Sequence, residues 1–154
     1  MTDQQKAYAF VGVQAVLLLV IVLAPAGTAW TVTSSMRTVA AALVAIGVVI
    51  GVLAALQLRR GLTAMPLPSP RGQLVTNGLF AYIRHPIYVG VIVLCAGMAL
   101  RSGSLVHVVV LFVLVAFFWI KAGWEEQRLA ERYPDYAGYT TRTGRLLPRL
   151  RSRA

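Results

Sequence analysis

Four runs of apolar residues divide the chain, and polar residues gather between and after them. The runs cover residues 8–24, 39–58, 86–100 and 105–124. A helix rises about 1.5 Å per residue and the hydrocarbon core of a bilayer is roughly 30 Å thick, so the first, second and fourth runs are about long enough to cross it. The pattern predicts an all-α polytopic membrane protein with about four transmembrane helices and a cytoplasmic C-terminal helical tail, in one domain over residues 1–154.

The third run is shorter, because a helix over residues 86–100 reaches only about 21 Å. Two explanations are open: the helix begins near Leu79 and breaks at Pro86, or the membrane face is indented there. Either way, the residues just before Pro86 lie near the membrane surface. The connector before them, residues 61–78, has prolines at three alternate positions, and we predict that it forms a lid or wall of a site.

Composition excludes an ordinary soluble domain. The chain is 58% hydrophobic and 13% charged, whereas about a quarter of the residues in a soluble domain are charged. The net charge of +10 would suggest nucleic acid in a soluble protein, but in a membrane protein basic residues flank the spans on the cytoplasmic side. With the N-terminus, residues 59–86 and the tail on one side, only Arg37 and Arg101 lie on the other. We therefore expect no nucleic acid and an integral plasma or inner membrane protein with cytoplasmic termini.

Several single residues have predicted structural roles. Lys121 is expected to extend its ammonium group to the membrane interface, and His107 to be an interfacial or packing residue. Cys95 has no second cysteine to pair with and offers no metal-binding set, so no metal is expected. Gly47 and Gly51 allow a close approach between helices. Packing within one chain is favoured over a homodimer seam, although a homodimer stays open as an alternative.

Candidate chemistry gathers in two places, Arg84-His85-Pro86-Ile87-Tyr88 and Glu125-Glu126. A proline suits the first turn of a helix, so the third helix would begin at Pro86 with free N–H groups beside Arg84. The tight linker at residues 101–104 would fold the third and fourth helices into a hairpin. Both places then meet at one membrane face, which we expect to be the cytoplasmic face because all five acidic residues lie on that side.

Each half of this cluster has a structural alternative. Arg84 and His85 are also suited to be interfacial anchors, although an arginine fork binds carboxylates and phosphates well. Adjacent acids at the C-terminal end of a helix oppose the helix dipole. They therefore need compensation from Arg84, from Arg128 and Arg132, or from a cationic ligand, and a solvated ion-pair face is the alternative to a binding site.

Residues 76–90 strongly resemble the isoprenylcysteine carboxyl methyltransferase and phospholipid methyltransferase superfamily. The pattern is Arg-His-Pro-x-Tyr, an intervening hydrophobic segment and then Glu-Glu, which match here at residues 84–88 and 125–126. The resemblance extends over residues 74–149, which would form the cofactor-binding half of the domain. Further similar positions in the tail are Leu129, Tyr136, Tyr139, Leu147 and Pro148.

The resemblance implies an integral membrane methyltransferase that uses S-adenosylmethionine and acts on a lipophilic acceptor, such as an isoprenoid, a lipid or a prenylcysteine-like molecule. It implies catalytic roles for Arg84, His85 and Glu126. The cofactor would bind to Tyr82, Arg84, His85, Pro86, Tyr88, Glu125 and Glu126. The acceptor would contact Gly90, Gly97, Arg128 and Tyr139, since Gly90 and Gly97 share one helix face and would leave a groove open towards lipid.

Two other classes of protein remain alternatives. A small multidrug-type transporter requires an ionisable residue buried within a span, whereas the deep parts of the spans contain only the polar but uncharged Gln14. A non-catalytic structural membrane subunit would bind no cofactor. Binding of S-adenosylhomocysteine therefore distinguishes the enzyme from both alternatives.

Overall fold

The computed structural model describes residues 2–58 and 73–149, so most of the proline-rich connector lies outside the described residues. The predicted all-α polytopic fold is confirmed. The helices are α1 (Asp3–Leu23), α2 (Ser34–Leu58), α3 (Pro86–Ser102), α4 (Leu105–Arg132) and α5 (Tyr136–Thr140), and a 3-10 helix over Gly78–Ala81 precedes α3. Three of the helices, α1, α2 and α4, are long and apolar enough to cross a membrane, and α3 is apolar but shorter.

The ends of the helices follow from local chemistry. Thr2 caps α1 and exchanges two hydrogen bonds with Gln5, so α1 begins five residues before the apolar run. Pro86 is the first residue of α3, as predicted, and Gly78–Ala81 form a separate 3-10 helix, with four residues between the two helices. Gly103 ends α3 in the left-handed conformation, with φ of 62°, which glycine adopts without strain.

Glycines bring α2 and α3 together in the most extensive helix interface of the bundle. A methyl group added at Gly47 would lie 2.5 Å from the Gly90 carbonyl oxygen, and one at Gly90 would lie 2.8 Å from the Gly47 carbonyl oxygen. At Gly97 it would lie 2.6 Å from the Ala40 carbonyl oxygen. These contacts agree with the intramolecular interpretation of the glycine pair at Gly47 and Gly51.

The same contacts overturn one expectation. The groove predicted along Gly90 and Gly97 is not open towards lipid, because α2 fills it with backbone atoms. The absence of side chains at these glycines serves close helix packing. Gly90 and Gly97 therefore leave no space for a further group beside them.

The helices bring together the segments that the charge pattern predicted to lie on one side of the membrane. Asp3, at the start of α1, lies 3.2 Å from the Arg128 guanidinium near the end of α4. The Gln57 side chain, near the end of α2, accepts a hydrogen bond from the Leu79 N–H at 3.1 Å. At the other end of the bundle the Gly27 N–H donates to the Ser102 carbonyl at 2.8 Å. The start of α1, the residues before α3 and the tail thus share one end.

Candidate active site

The tail lies beside the residues that precede α3. Ile83 and Gly144 form a parallel bridge. The Arg84 N–H donates to the Gly144 carbonyl at 2.8 Å, and the His85 N–H donates to the Arg145 carbonyl at 3.2 Å. Backbone pairing therefore fixes the segment around Arg145 next to the Arg-His-Pro segment, although about 60 residues separate them in the sequence.

Glu126 is the centre of the charged cluster. Its Oε1 atom lies 2.8 Å from Arg84 Nε and 3.2 Å from His85 Nε2. Its Oε2 atom accepts from Arg145 Nη2 at 2.8 Å and Nε at 3.1 Å. Arg84 also donates to the Thr143 carbonyl. Both carboxylate oxygens are therefore used within the chain, and the side chain is 11% exposed.

The environment of Glu126 favours its charged form. α4 has 28 residues and rises about 42 Å, so its last two turns extend beyond a hydrocarbon core of roughly 30 Å. Burial alone would raise the pKa of Glu126, but hydrogen bonds from His85, Arg145 and Arg84 lower it below its usual range. Glu126 is thus an ionised anchor for the guanidinium groups.

Glu125 has a different environment, although it is the neighbouring residue. Its Oε2 atom accepts a hydrogen bond from the Tyr88 hydroxyl at 2.8 Å and lies 3.6 Å from His85 Nδ1. Its Oε1 atom has no hydrogen-bond partner within residues 2–58 and 73–149. The side chain is 22% exposed. Glu125 therefore offers an acceptor oxygen to a ligand, whereas Glu126 does not.

A stack of three aromatic rings lies next to these carboxylates. The His85 and Tyr88 rings are stacked at 5.2 Å between centroids, and the Tyr88 and Phe118 rings at 4.5 Å. Lys121 lies beside the Tyr88 ring. Its Nζ atom is 5.2 Å from the centroid of that ring and 2.5 Å from Gln14 Oε1. The prediction that Lys121 extends to the interface is wrong, because its side chain is 1% exposed.

Buried tyrosines of α5 complete the cluster. Burial raises the pKa of Tyr139 to about 12, and its hydroxyl donates to the Phe80 carbonyl at 2.6 Å. Burial, and then the charge of Glu126, raise the pKa of Tyr136. The Tyr136 hydroxyl is buried and has no hydrogen-bond partner in the described part of the chain. Both side chains are therefore neutral hydrogen-bonding groups at neutral pH.

The structure gathers most of the predicted site residues and separates the rest. Arg84, His85, Pro86, Tyr88, Glu125 and Glu126 lie together. Tyr82 is 68% exposed, and only its backbone pairs with the tail. Arg128 pairs with Glu131 at 2.8 Å and with Asp3, towards α1. Glu126 is thus compensated by Arg84 and Arg145, and not by Arg128.

Arg145 is the residue that sequence reasoning missed. Besides its bonds to Glu126, its guanidinium lies 4.8 Å from the Trp119 ring centroid, and Gly123 leaves room for it beside α4. In the sequence Arg145 is one of many tail arginines, so its charge indicates only sidedness. Arg145 follows Thr143, whose carbonyl accepts a hydrogen bond from Arg84, by two residues. This proximity to the site can be recognised only when the backbone pairing is known.

The fold and the site together define a polytopic helical membrane protein with a buried charge cluster at one end of the bundle. The chain belongs to the phospholipid methyltransferase family, whose model matches residues 35–136. The match includes α2, which lies outside residues 74–149, and it ends before Arg145. The family is one of membrane methyltransferases, so the resemblance drawn from the two motifs is confirmed.

One curated relative is similar over part of the chain. The cobalt-zinc-cadmium resistance protein CzcN of Cupriavidus metallidurans is 35% identical over 78 residues. The match covers 50% of this chain and 36% of that protein, so the chain spans little more than a third of the relative's length. The similarity leaves the substrate open.

Proposed function

We propose that the protein transfers a methyl group from S-adenosylmethionine to a lipophilic acceptor held in the bilayer. The observation that supports this most directly is the open Oε1 atom of Glu125, in a cluster whose other charges are paired within the chain. A carboxylate oxygen accepts strong hydrogen bonds from ammonium and hydroxyl groups. S-adenosylmethionine carries an ammonium group and a ribose diol.

The residues at the site fit this donor. The Tyr136 hydroxyl is buried near Glu126 and Arg84 without a partner among the described residues. An unsatisfied buried polar group costs about 1–3 kcal/mol, so a ligand that hydrogen-bonds to it would be favoured. Tyr136, Glu125 and the stacked His85 and Tyr88 rings therefore offer polar and flat aromatic contacts to a nucleoside with charged substituents.

Each residue has a defined task in this proposal. Glu125 binds a cationic or hydroxyl group of the donor, and Tyr88 holds the carboxylate in place. The ion pairs of Glu126 with Arg84 and Arg145 hold the tail beside the site. The bound donor supplies a methyl group on a positively charged sulfur. These residues contribute chiefly by positioning and by excluding water, because methyl transfer is an in-line displacement.

The acceptor decides whether the site needs a base. A carboxylate acceptor attacks in its ionised form and needs none, whereas an amine or hydroxyl acceptor must lose a proton. His85 and Glu125 are then the candidate bases, since both lie within the cluster. We propose that the acceptor enters from the bilayer with its polar end near this cluster, on the cytosolic side.

Binding of S-adenosylhomocysteine to the detergent-solubilised protein, measured by calorimetry, tests the donor. Wild type should bind it, and Glu125→Gln should weaken binding at least about tenfold, or about 1.4 kcal/mol. Glu131→Gln is the matched control, because Glu131 lies on the same helix and, among the described residues, pairs with Arg128 alone. Equal binding by Glu125→Gln and wild type would contradict the role of Glu125.

Methyl transfer from a labelled donor tests the acceptor. The label should enter the lipid extract of membranes that contain the protein. Label found only in water-soluble acceptors would contradict the proposal of a lipophilic acceptor, but it would still support methyltransferase activity. Absence of both binding and transfer would favour one of the two alternatives, the multidrug-type transporter or the structural membrane subunit.

A further inference from the structure

A lysine is buried inside the helix bundle, close to the site but without a role in the function proposed above. Lys121 belongs to α4 and is 1% exposed. Its ammonium group donates to Gln14 Oε1 of α1 at 2.5 Å. An ionisable side chain enclosed within a membrane bundle is costly, and in membrane proteins such residues are paired and tied to function.

The surroundings of Lys121 connect it to the site. Its Nζ lies 5.2 Å from the Tyr88 ring centroid, where an ammonium group is attracted to the ring. The hydroxyl of the same ring donates to Glu125 Oε2 at 2.8 Å. Groups in a hydrogen-bonded chain polarise one another, so a cation beside the ring makes the hydroxyl a stronger donor.

We propose that Lys121, held by Gln14, is a positioning residue for Glu125 and acts through Tyr88. By fixing the ring and strengthening its hydrogen bond to Oε2, Lys121 keeps the Glu125 carboxylate oriented so that Oε1 faces the ligand. This inference rests on the proposed function for the identity of that ligand. It makes α1 part of the site, although α1 lies outside the residues that the family model matches.

A purely structural role for Lys121 predicts a different result. If its long side chain only fills space, Lys121→Met keeps most of the volume and lowers stability without a specific effect on Glu125. If Lys121 acts through Tyr88, its substitution weakens ligand binding, and the effect depends on the Tyr88 hydroxyl. Tyr88→Phe keeps the ring and removes that hydroxyl.

A double-mutant cycle distinguishes the two roles. The affinity for S-adenosylhomocysteine is measured by calorimetry in wild type, Lys121→Met, Tyr88→Phe and the double variant. Lys121→Met should weaken binding at least about fivefold in wild type and less than about twofold once Tyr88 is phenylalanine. Equal losses in both backgrounds, or no loss in either, would overturn the proposal.

Two further variants separate binding from stability. Gln14→Leu should weaken binding in the same direction as Lys121→Met, because it removes a hydrogen-bond acceptor of the ammonium group. Ile21→Ala is the control on the same helix, since Ile21 is 1% exposed and lies about two helical turns away. It should lower the thermal midpoint and leave the affinity unchanged. An affinity that only follows the thermal midpoint in all variants would refute the positioning role.

A second readout needs no ligand. Fluorine NMR of the protein labelled with 3-fluorotyrosine contains a signal from each of six tyrosines, and Tyr88→Phe identifies the signal of Tyr88. Lys121→Met should shift that signal, whereas Glu131→Gln, at an exposed side chain of the same helix, should not. If Lys121→Met shifts the Tyr88 signal but the protein binds no S-adenosylhomocysteine, the contact between Lys121 and Tyr88 is supported and the proposed function is contradicted. An unchanged signal in a protein that binds it would overturn the inference alone.

Discussion

Two adjacent glutamates of the same motif have different surroundings. Consecutive residues on a helix point about 100° apart, so Glu126 faces the tail and Glu125 faces Tyr88. Glu126 is saturated by Arg84, His85 and Arg145, whereas Glu125 retains an open oxygen among the described residues. We infer that Glu126 organises the site and that Glu125 contacts the ligand.

This division of labour gives a prediction for Glu126. Glu126→Gln removes the carboxylate charge that binds two guanidinium groups, and Arg84→Ala removes one of them. Each should weaken S-adenosylhomocysteine binding at least about tenfold and should also release the tail from the bundle, measured as faster proteolytic cleavage after α5. Glu125→Gln should weaken binding and leave the cleavage rate unchanged. Tight binding in both Glu126→Gln and Arg84→Ala would contradict the assigned site.

The buried Tyr139 gives a prediction about pH. Burial raises its pKa from 10.0 to about 12, so the protonated hydroxyl stabilises the docked tail fully below pH 10 and this contribution is lost as the pH rises through 12. Cleavage of the tail should therefore accelerate between about pH 10 and about pH 12. Tyr139→Phe should weaken tail docking by about 1–3 kcal/mol, because the Phe80 carbonyl loses its donor.

The variant also checks the origin of the pH effect. Tyr139→Phe should show a smaller acceleration over that pH range than wild type. If Tyr139→Phe accelerates as much as wild type, the pH effect on tail cleavage comes from other titrating groups.

At the scale of elements, the α2–α3 interface depends on where each glycine lies. Gly47 and Gly51 are one turn apart on the same helix. A methyl group at Gly47 would meet the α3 backbone at 2.5 Å, whereas one at Gly51 would have no neighbour within 4 Å among the described residues. The sequence motif does not distinguish them, but the packing does.

This contrast predicts opposite effects of one substitution. Gly47→Ala should destabilise the protein by about 1–3 kcal/mol through overpacking. Gly51→Ala should be neutral or stabilising by up to about 1 kcal/mol, because alanine is the better helix former. Thermal unfolding in detergent measures both. A loss of stability in Gly51→Ala as large as that in Gly47→Ala would place a second helix or a second chain against Gly51.

The elements also show what the sequence can predict. Hydrophobic length and the position of Pro86 were enough to predict four apolar helices and the start of α3. The partners of the motif residues were not predictable, because Arg145 reaches Glu126 through backbone pairing of distant segments. Lys121 was misplaced for a related reason. Its depth depends on Gln14 of α1, and hydropathy along one helix does not report a partner on another.

At the scale of the whole molecule, the two ends of the helix bundle differ in charge: one end is rich in charged residues and the other has few. The polar end holds the site, the start of α1 and the tail, as the Asp3 contact with Arg128 shows. The cytoplasmic assignment is the expectation from the charge pattern: among the basic residues that the structure describes, only Arg37 and Arg101 lie at the other end. A cytosolic donor such as S-adenosylmethionine requires the polar end to face the cytosol.

Sidedness is therefore the prediction on which the proposed function depends at this scale. In a protein with Cys95→Ala, a cysteine at Gln4 or Thr141 should react with a membrane-impermeant maleimide only after the cytoplasmic face is opened. A cysteine at Ser35, at the start of α2, should react in intact cells. All three positions are exposed, so accessibility within the protein does not limit the reaction. Labelling of Thr141 in intact cells would place the site outside, where a cytosolic donor does not reach it, and labelling of Ser35 and Gln4 from the same side would contradict the direction of α1 and α2.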